Sequence, residues 1–430
     1  MPERLLHYIW QYKFFSRFEQ YTTQGDKIEV IDVGKLNTDS GPDFFNAKLK
    51  INGQLWAGNI EIHINSSDWY KHHHDQDPNY DNIIMHIVAH ADTEIRSTKG
   101  RFIPQCELKY PEGIQHKYIQ WLISGEKTAC QDDIANVPTI YINDWKSSLL
   151  ADRLQQKSNY INDLLKHYNN DWEETFYVTL AHYFGFHTNG APFELLAKQT
   201  PLAYIGKHRN DLFQIEAILY GQAGLLTQQP SDSTDRYYNS LCKEYLFLKT
   251  KFSLTSIQGE LWKFLRMRPD NFPTVRIAEF AALLHQTDHL FASLTEAKTI
   301  NELRNLFEIK TSEYWDTHYT FNKESVYSPK RLGSNAIDTL IINVVAPFLF
   351  AYGTNRNQSD YQDRAEQLLD ELPPEKNSII TNWKQIGLSC QSAADTQALI
   401  HLHEQYCTNH KCLHCRIAHK IFSKTINGVP

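Results

Sequence analysis

Two acidic residues that could hold a metal ion, Asp43 and Glu61, and most of a histidine cluster lie between residues 37 and 90. Asp43 precedes one predicted strand, and Glu61 and His63 lie on the next one. Two carboxylates hold Mg²⁺ or Mn²⁺ through hard oxygen ligands, the backbone carbonyl of Ile62 can assist them, and such a cation promotes hydrolysis of a phosphodiester. His63 would then position or deprotonate the attacking water. The spacing of these residue types therefore indicates a metal-dependent phosphodiesterase.

A predicted β-hairpin positions these side chains. The dipeptide Asn52-Gly53 is a strong turn signal that separates a first strand from a return strand. The apolar residues of the return strand, which begin with Leu55, change phase at Gly58-Asn59, and this change predicts a β-bulge there. Because side chains alternate along a strand, Glu61 and His63 share the face opposite the three isoleucines that follow the bulge.

The elements around the hairpin follow the order αβββαβ. They are a helix at 3–18, strands at 27–33, 43–51 and 55–64, a short helix at 67–74 and a strand at 82–90. With Pro42-Asp43 and Glu61-Ile62-His63 on these strands, the region resembles the PD-(D/E)xK nuclease superfamily. The resemblance implies a restriction-endonuclease-like α/β domain, Asp43 and Glu61 as metal ligands, Mg²⁺ or Mn²⁺ as the cofactor and nucleic acid as the substrate.

One position departs from the pattern of that superfamily. His63 stands where the superfamily usually has a lysine, and a neutral imidazole can accept a proton or bind a metal, whereas lysine is a compact cation. The superfamily pattern sometimes adds a glutamate from the first helix to the metal site. Glu3 and Glu19 are the acidic residues near that helix.

Two other functions fit the same residues. The bland alternative to a metal site is that Asp43 caps a turn and Glu61 lies on a solvated sheet face. The second functional hypothesis is a catalytically inactive module that binds nucleic acid or protein and kept the fold after the catalytic lysine was lost. If His63, His74 and His86 join a metal site in a closed, neutral pocket, the protein would hydrolyse small substrates.

Further histidines lie on the two elements that follow the hairpin. Residues 72–74 are three adjacent histidines, and because these point in different directions on a helix, at most two of them can face the acidic site. His86 and His90 share one face of a strand that is predicted to be buried on both faces. We expect His86 to lie in the core with a hydrogen-bond partner.

Length, composition and charge limit the class of protein. The 430 residues are enough for two domains, and the net charge of -7 argues against a protein that coats nucleic acid through a basic face. No stretch approaches the roughly 18 apolar residues of a membrane span, and the N-terminus lacks the layout of a signal peptide. We therefore predict a cytoplasmic protein that has no membrane partner, and its oligomeric state is left open.

A change of character near residue 135 predicts a domain boundary. Gly, Asp and Pro are frequent between residues 125 and 138, and helical periodicity dominates afterwards without a fixed repeat. The prediction is a PD-(D/E)xK-like α/β domain at 1–135 and a large all-α domain at 136–430. Its basic run is either a phosphate-binding surface or a solvated helix face, and consists of Lys263, Arg266, Arg268 and Arg276.

Three cysteines near the C-terminus have the spacing of metal ligands. They are Cys407, Cys412 and Cys415, and Cys130 and Cys390 are candidates for a fourth ligand. The spacing suits a structural Zn²⁺ site or an iron–sulfur cluster, and the alternative is that the cysteines are reduced and packed in a terminal helix.

Short motifs spread over nearly the whole chain carry a second resemblance. They include Gly41-Pro42-Asp43-Phe44, Gly58-x-x-Glu61-x-His63, Asp68-Trp69, Arg268-Pro269-x-Asn271-Phe272-Pro273 and the three C-terminal cysteines. In these motifs the chain is similar to an uncharacterised bacterial family, domain of unknown function 2851. That family has no established activity, so this resemblance implies none.

Overall fold

The computed structural model describes residues 1–125, 128–226 and 235–426, and these form two compact units. The first unit contains Met1–Lys146, Asn382–Leu388 and the chain from Ile400 to the end of the described residues. The second unit contains Ser147–Thr381 and Ser389–Leu399. The N-terminal part of the chain is thus completed by a segment from the opposite end of the sequence.

A mixed sheet of seven strands forms the centre of the first unit. Its strands are β1 Gln20–Tyr21, β2 Lys27–Asp32, β3 Lys35–Leu36, β4 Phe44–Ile51, β5 Gln54–Asn65, β6 Ile83–His90 and β7 Gln105–Glu107. The strand order is β1-β2-β4-β5-β6-β7, with β3 paired to β4. The pairs from β1 to β5 are antiparallel, whereas β5–β6 and β6–β7 are parallel. The predicted hairpin is therefore confirmed as β4–β5.

Eighteen α-helices are found in the described residues of the two units. They are α1 Glu3–Gln11, α2 Asp68–Lys71, α3 Glu112–Ile123, α4 Thr139–His167, α5 Trp172–Phe184, α6 Gly190–Lys198, α7 Leu202–Gly206, α8 Leu212–Gln222, α9 Arg236–Phe252, α10 Pro273–Gln286, α11 Leu290–Glu296, α12 Ile300–Leu306, α13 Ser334–Leu340, α14 Ala346–Arg356, α15 Ser359–Glu371, α16 Ser378–Gln385, α17 Ala393–His401 and α18 Arg416–Ile426. A mixed sheet followed by a helical region agrees with the predicted fold class at that level. The sequence did not predict β1, β3, α3 or α18.

Helix α1 is shorter than the predicted helix at 3–18. It ends at Gln11 because Lys13 adopts a left-handed conformation with φ of 54° and the N–H of Phe14 returns to the carbonyl oxygen of Ile9 at 3.0 Å. The turn directs Phe14 and Phe15 into the core, where they are 6% and 4% exposed. The apolar residues that suggested a longer helix are therefore buried, but by a turn rather than by a continuation of α1.

The predicted bulge lies beside Gly58 but in the neighbouring strand. In β5 the even-numbered positions share one face throughout, since Trp56 pairs with Leu49 and Ile60 pairs with Phe44. Leu55 lies on the other face and is 61% exposed, so the prediction that it is inward-facing was wrong. The extra residue belongs to β4, between Phe44 and Ala47, where the register shifts.

Gly58 is required by the close approach of the next strand. A Cβ atom at this position would lie 2.4 Å from Cγ2 of Ile84 and 2.7 Å from the carbonyl oxygen of Asn82. The register of β5 against β6 also shifts at the following residue. A residue without a side chain therefore lets β6 pair closely with the part of β5 that carries the acidic site.

The second unit is held by one large apolar core, which α5, α8, α10 and α14 line with fully buried side chains. One helical stretch, Ser334–Arg356, is long and apolar enough to cross a membrane, although the sequence analysis found none of that kind. It is 78% buried within the structure, as is usual for the core helix of a soluble domain. A two-stranded hairpin, β8 His318–Thr320 with β9 Lys323–Glu324, lies in this unit.

Candidate metal centre

Asp43 and Glu61 meet at the end of the β4–β5 hairpin. Asp43 Oδ2 accepts a hydrogen bond from the N–H of Ile62 at 2.8 Å, and Glu61 Oε2 accepts one from the N–H of Asp43 at 3.2 Å. The loop before Asp43 is fixed by Asn37, whose Nδ2 donates to three carbonyl oxygens of that loop at 3.1 Å. The two carboxylates that were predicted to converge therefore lie side by side.

Three histidines form a row behind and beside Glu61. The Nδ1 atom of His63 lies 2.9 Å from Nε2 of His86, and Nε2 of His63 lies 3.1 Å from Nδ1 of His72. His63 Nε2 is also 3.6 Å from Oε1 of Glu61. His86 is fully buried, so it belongs to the core as predicted and also contacts the site, whereas His90 is exposed.

A turn after α2 brings a fourth imidazole to the same carboxylate. His73 adopts φ of 61° and is exposed, and the N–H of His74 bonds to the carbonyl oxygen of Trp69 at 3.0 Å. This turn places His74 Nε2 3.2 Å from Oε1 of Glu61. The ring of Tyr80 stacks on that of His74 at 3.8 Å and covers its outer face. Two of the three adjacent histidines thus reach the site.

Helix α1 supplies the remaining side of the site. The Nε2 atom of His7 lies 3.4 Å from Oδ2 of Asp43 without forming a hydrogen bond. Glu3, one turn earlier, lies within electrostatic range of both His7 and Asp43. Glu19 lies at the surface, where it pairs with Lys27 at 2.5 Å. Of the two acids near the first helix, Glu3 is the one close to the carboxylates.

Burial changes the protonation of the two carboxyl groups and of three of the imidazoles. It raises the pKa of Asp43, and burial together with the charge of Asp43 raises the pKa of Glu61 to about 9. Desolvation lowers the pKa of His63 to about 2 and that of His86 to about 3, and it also lowers the pKa of His74. The imidazoles are therefore neutral at pH 7, which is the form that binds metals.

The donor atoms have the spacing of a metal site. One nitrogen from each of His63, His72 and His74 lies within 4.8 Å of the other two, and Glu61 adds a carboxylate oxygen to the group. Imidazole nitrogen with carboxylate oxygen suits Zn²⁺, Fe²⁺ and Mn²⁺, whereas Mg²⁺ prefers oxygen ligands. The residues present therefore fit a transition-metal ion better than they fit Mg²⁺, for which Asp43 and Glu61 had predicted a site of oxygen ligands.

A cavity of about 440 Å³ is lined on one side by α1, including His7. Two cations, several histidines and aromatic rings line it, among them Arg4, Tyr12, Lys411 and His414. His7 belongs both to this cavity and to the surroundings of Asp43. A ligand in the cavity would therefore be within reach of the carboxylates.

The sequence analysis did not assign two of the residues that are now in the site. His7 is one turn after Glu3 on an amphipathic helix, and only its position on the buried side of α1 could have indicated it. His72 is exposed and directly follows the last residue of α2, and its Nδ1 atom lies 3.1 Å from Nε2 of His63. Both positions depend on tertiary packing.

The other predicted groups are placed elsewhere. In the basic run, Arg276 pairs with Glu279 at 2.7 Å and lies over the ring of Phe186. No disulfide joins any of the seven cysteines, all of which lie in the part of the chain that the structure describes. Cys407, Cys412 and Cys415 belong to the first unit together with Cys130, whereas Cys390 belongs to the second.

Comparison with known proteins gives a family and no activity. The family model described as "Protein of unknown function (DUF2851)" matches residues 3–378. No curated protein and no solved structure matches the chain. Since the matched region covers most of the 430 residues, the chain belongs to the DUF2851 family.

Proposed function

We propose that this protein is a metal-dependent phosphodiesterase that cleaves nucleic acid. The observation that supports the proposal is the convergence of Asp43, Glu61 and neutral histidines at the end of one hairpin. The likeness to the PD-(D/E)xK superfamily supports it further, since an acid before the first strand of a hairpin and Glu-x-His on the return strand reproduce that arrangement. His63 replaces the usual lysine.

The donor set favours Mn²⁺, Zn²⁺ or Fe²⁺ as the ion. Glu61, His63 and His74 would hold it, with Asp43 and His72 at the edge of the site. When bound, such an ion would lower the pKa of a coordinated water and offset charge on the phosphoryl oxygens. Its positive charge would also favour the ionised carboxylates, so that binding releases protons.

The side chains around the ligands fix their orientation. His86 occupies the Nδ1 atom of His63 at 2.9 Å, which leaves the Nε2 atom of His63 directed to His72 and Glu61. Such outer partners set the tautomer of a ligating histidine. His7, less buried than these residues, lies 3.4 Å from Asp43 and is positioned to accept or return a proton at the substrate.

The neighbouring cavity has the chemistry of a nucleic-acid contact. Arg4 and Lys411 would pair with backbone phosphates, and Tyr8 and Tyr12 offer ring faces on which bases can stack. Because His7 is shared with the metal site, a strand in the cavity would present its phosphates beside Asp43. This local basic surface is compatible with a net charge of -7.

A second candidate function is hydrolysis of small phosphoesters. Glu61 and His63 are only 4% and 2% exposed, and about 440 Å³ is the volume of a small-molecule site. Small and polymeric substrates therefore have to be compared directly.

The test measures cleavage of single- and double-stranded DNA, of RNA and of bis(p-nitrophenyl) phosphate with Mn²⁺, Zn²⁺, Fe²⁺ and Mg²⁺. We expect Asp43→Asn and Glu61→Gln to lower kcat/KM by about 100-fold or more. His73→Asn is the matched control and should leave activity unchanged, since His73 is adjacent but exposed and asparagine tolerates its left-handed backbone conformation.

The cavity is tested separately. Arg4→Ala and Lys411→Ala should raise KM for nucleic acid more than they lower kcat, whereas Lys27→Ala at the sheet edge should change neither. Cleavage of the small diester alone would favour the second candidate. Absence of cleavage with every metal and substrate, together with unchanged nucleic-acid binding by the two carboxylate variants, would refute catalysis and favour the inactive binding module.

A further inference from the structure

Three cysteines are gathered in one compact loop at the end of the first unit. Cys407 ends a π-helix, Cys412 begins a 3₁₀-helix, and Cys415 directly precedes α18. The loop is folded back on itself, since the N–H of His410 bonds to the carbonyl oxygen of Cys407 and the N–H of Cys415 bonds to that of Cys412, each at 3.1 Å. The three thiols are therefore held in a short segment of fixed backbone.

Cys130 joins this group from a distant part of the sequence. The 3₁₀-helix Ile134–Asn136, which follows Cys130, packs against α18. Lys424 of α18 donates a hydrogen bond to the carbonyl oxygen of Asn136. Burial raises the pKa of Cys130, and the three C-terminal thiols raise it further. This influence places Cys130 within electrostatic range of the three C-terminal thiols, in a poorly solvated region.

The surroundings of Cys415 are those of a thiolate ligand. The N–H groups of Ile417 and Ala418, in the first turn of α18, lie near its sulfur and favour the ionised form, against the burial that raises the pKa of this thiol. The indole of Trp145 is directed at the same sulfur, although its buried Nε1 has no partner within ordinary hydrogen-bond distance. Buried donors without a full acceptor are uncommon, and an ionised sulfur would satisfy this one.

Trp145 is fixed on both sides by residues that flank the loop. Its ring lies 5.4 Å from that of Tyr406, which precedes Cys407, and the guanidinium of Arg416, which follows Cys415, lies 4.9 Å from its centre. Arg416 also pairs with Asp144 at 2.6 Å. The donor to the sulfur therefore keeps one orientation.

We propose that Cys130, Cys407, Cys412 and Cys415 bind an iron–sulfur cluster. The spacing Cys-x4-Cys-x2-Cys with one remote cysteine is a known iron–sulfur pattern, whereas structural zinc sites with four cysteines usually contain two close pairs. N–H groups beside a ligating sulfur, as at Cys415, are also typical of such clusters.

The cluster would connect the two ends of the first unit and support the cavity described above. The loop between Cys407 and Cys415 supplies five of the residues that line the cavity, which are Asn409, His410, Lys411, Leu413 and His414. Ligation of its two ends would fix this wall. The proposal does not depend on the proposed phosphodiesterase activity, because the cluster is detected without substrate.

The test is the iron and acid-labile sulfide content of the full chain purified without oxygen, with its visible absorption spectrum. We expect the absorption of an iron–sulfur cluster in the wild type, and its loss in Cys130→Ser and Cys412→Ser. Cys390→Ser is the matched control and should keep iron, sulfide and colour, since it alters the other candidate cysteine, in the second unit.

Three results would overturn the proposal. One is a wild-type protein that contains neither iron nor sulfide, also after reconstitution with ferrous iron and sulfide. Another is one zinc per chain without iron, which would identify the site as zinc-binding. The third is retention of the full cluster by a soluble Cys130→Ser variant, which would show that Cys130 is not a ligand. A poorly folded variant does not affect the first two measurements.

Discussion

Replacement of Glu61 by glutamine should stabilise the metal-free protein while it weakens metal binding. The side chain is 5% exposed, and its pKa is raised from 4.5 to about 9. At pH 7 the folded protein therefore holds a protonated carboxyl group that is ionised in the unfolded chain. Because the folded state binds this proton and the unfolded chain releases it, the free energy of unfolding falls as the pH rises from about 4.5 to about 9.

The size of the effect follows from the unfolded pKa. Between 4.5 and pH 7 the cost accumulates at about 1.4 kcal/mol per pH unit and reaches about 3 kcal/mol. The folded pKa need only lie above 7 for this value to hold. Glutamine cannot ionise and keeps the shape of the protonated group, so Glu61→Gln should gain up to this amount at pH 7 and little at pH 4.5.

Urea denaturation at several pH values, with and without Mn²⁺ or Zn²⁺, measures both effects. At a free metal concentration of 100 times Kd the wild type should gain about 2.7 kcal/mol, and the variant should gain much less. Glu29→Gln is the control, because Glu29 is 65% exposed and pairs only with Lys50. A variant that is no more stable than the wild type in metal-free buffer at pH 7 would refute the assignment of Glu61 as a buried, protonated carboxyl group.

Two further predictions concern the framework. Gly58→Ala would place a Cβ atom 2.4 Å from Cγ2 of Ile84, so we expect it to lower the free energy of unfolding by about 1–3 kcal/mol. The urea midpoint measures this loss, and an unchanged midpoint would contradict the tight pairing of β5 with β6. Glu216 accepts hydrogen bonds from Tyr237 and Ser312, and burial raises its pKa to about 7. The stability of the wild type should therefore fall by up to about 3 kcal/mol between pH 4.5 and 7. Glu216→Gln should remove that part of the pH dependence in the same assay.

Short-range patterns predicted the hairpin and the order of the elements around it. The turn at Asn52-Gly53 and the alternation after Gly58 were sufficient to place Glu61 and His63 on one face. The predominance of helices in the second unit followed from the apolar periodicity of its sequence. These features depend on neighbours in the sequence, which is why the sequence could reveal them.

The composition of the site depended on contacts that no local pattern encodes. The sequence offered Asp43 and Glu61 as an oxygen site and named His74 only within an alternative, whereas His74 arrives through a left-handed turn and His7 through the docking of α1. The wrong face for Leu55 has a similar cause, since the extra residue lies in the partner strand and cannot be located from one strand alone.

The mixed origin of the first unit has a consequence for synthesis of the protein. The ribosome makes the sheet and its histidines first and the segment from Ile400 onward last, after the whole second unit. A nascent chain therefore carries the carboxylates and imidazoles before it carries Lys411 and the rest of the cavity wall. The cavity wall is thereby completed only after the whole second unit has been made, so a polypeptide that stops before Lys411 would lack the binding surface proposed above.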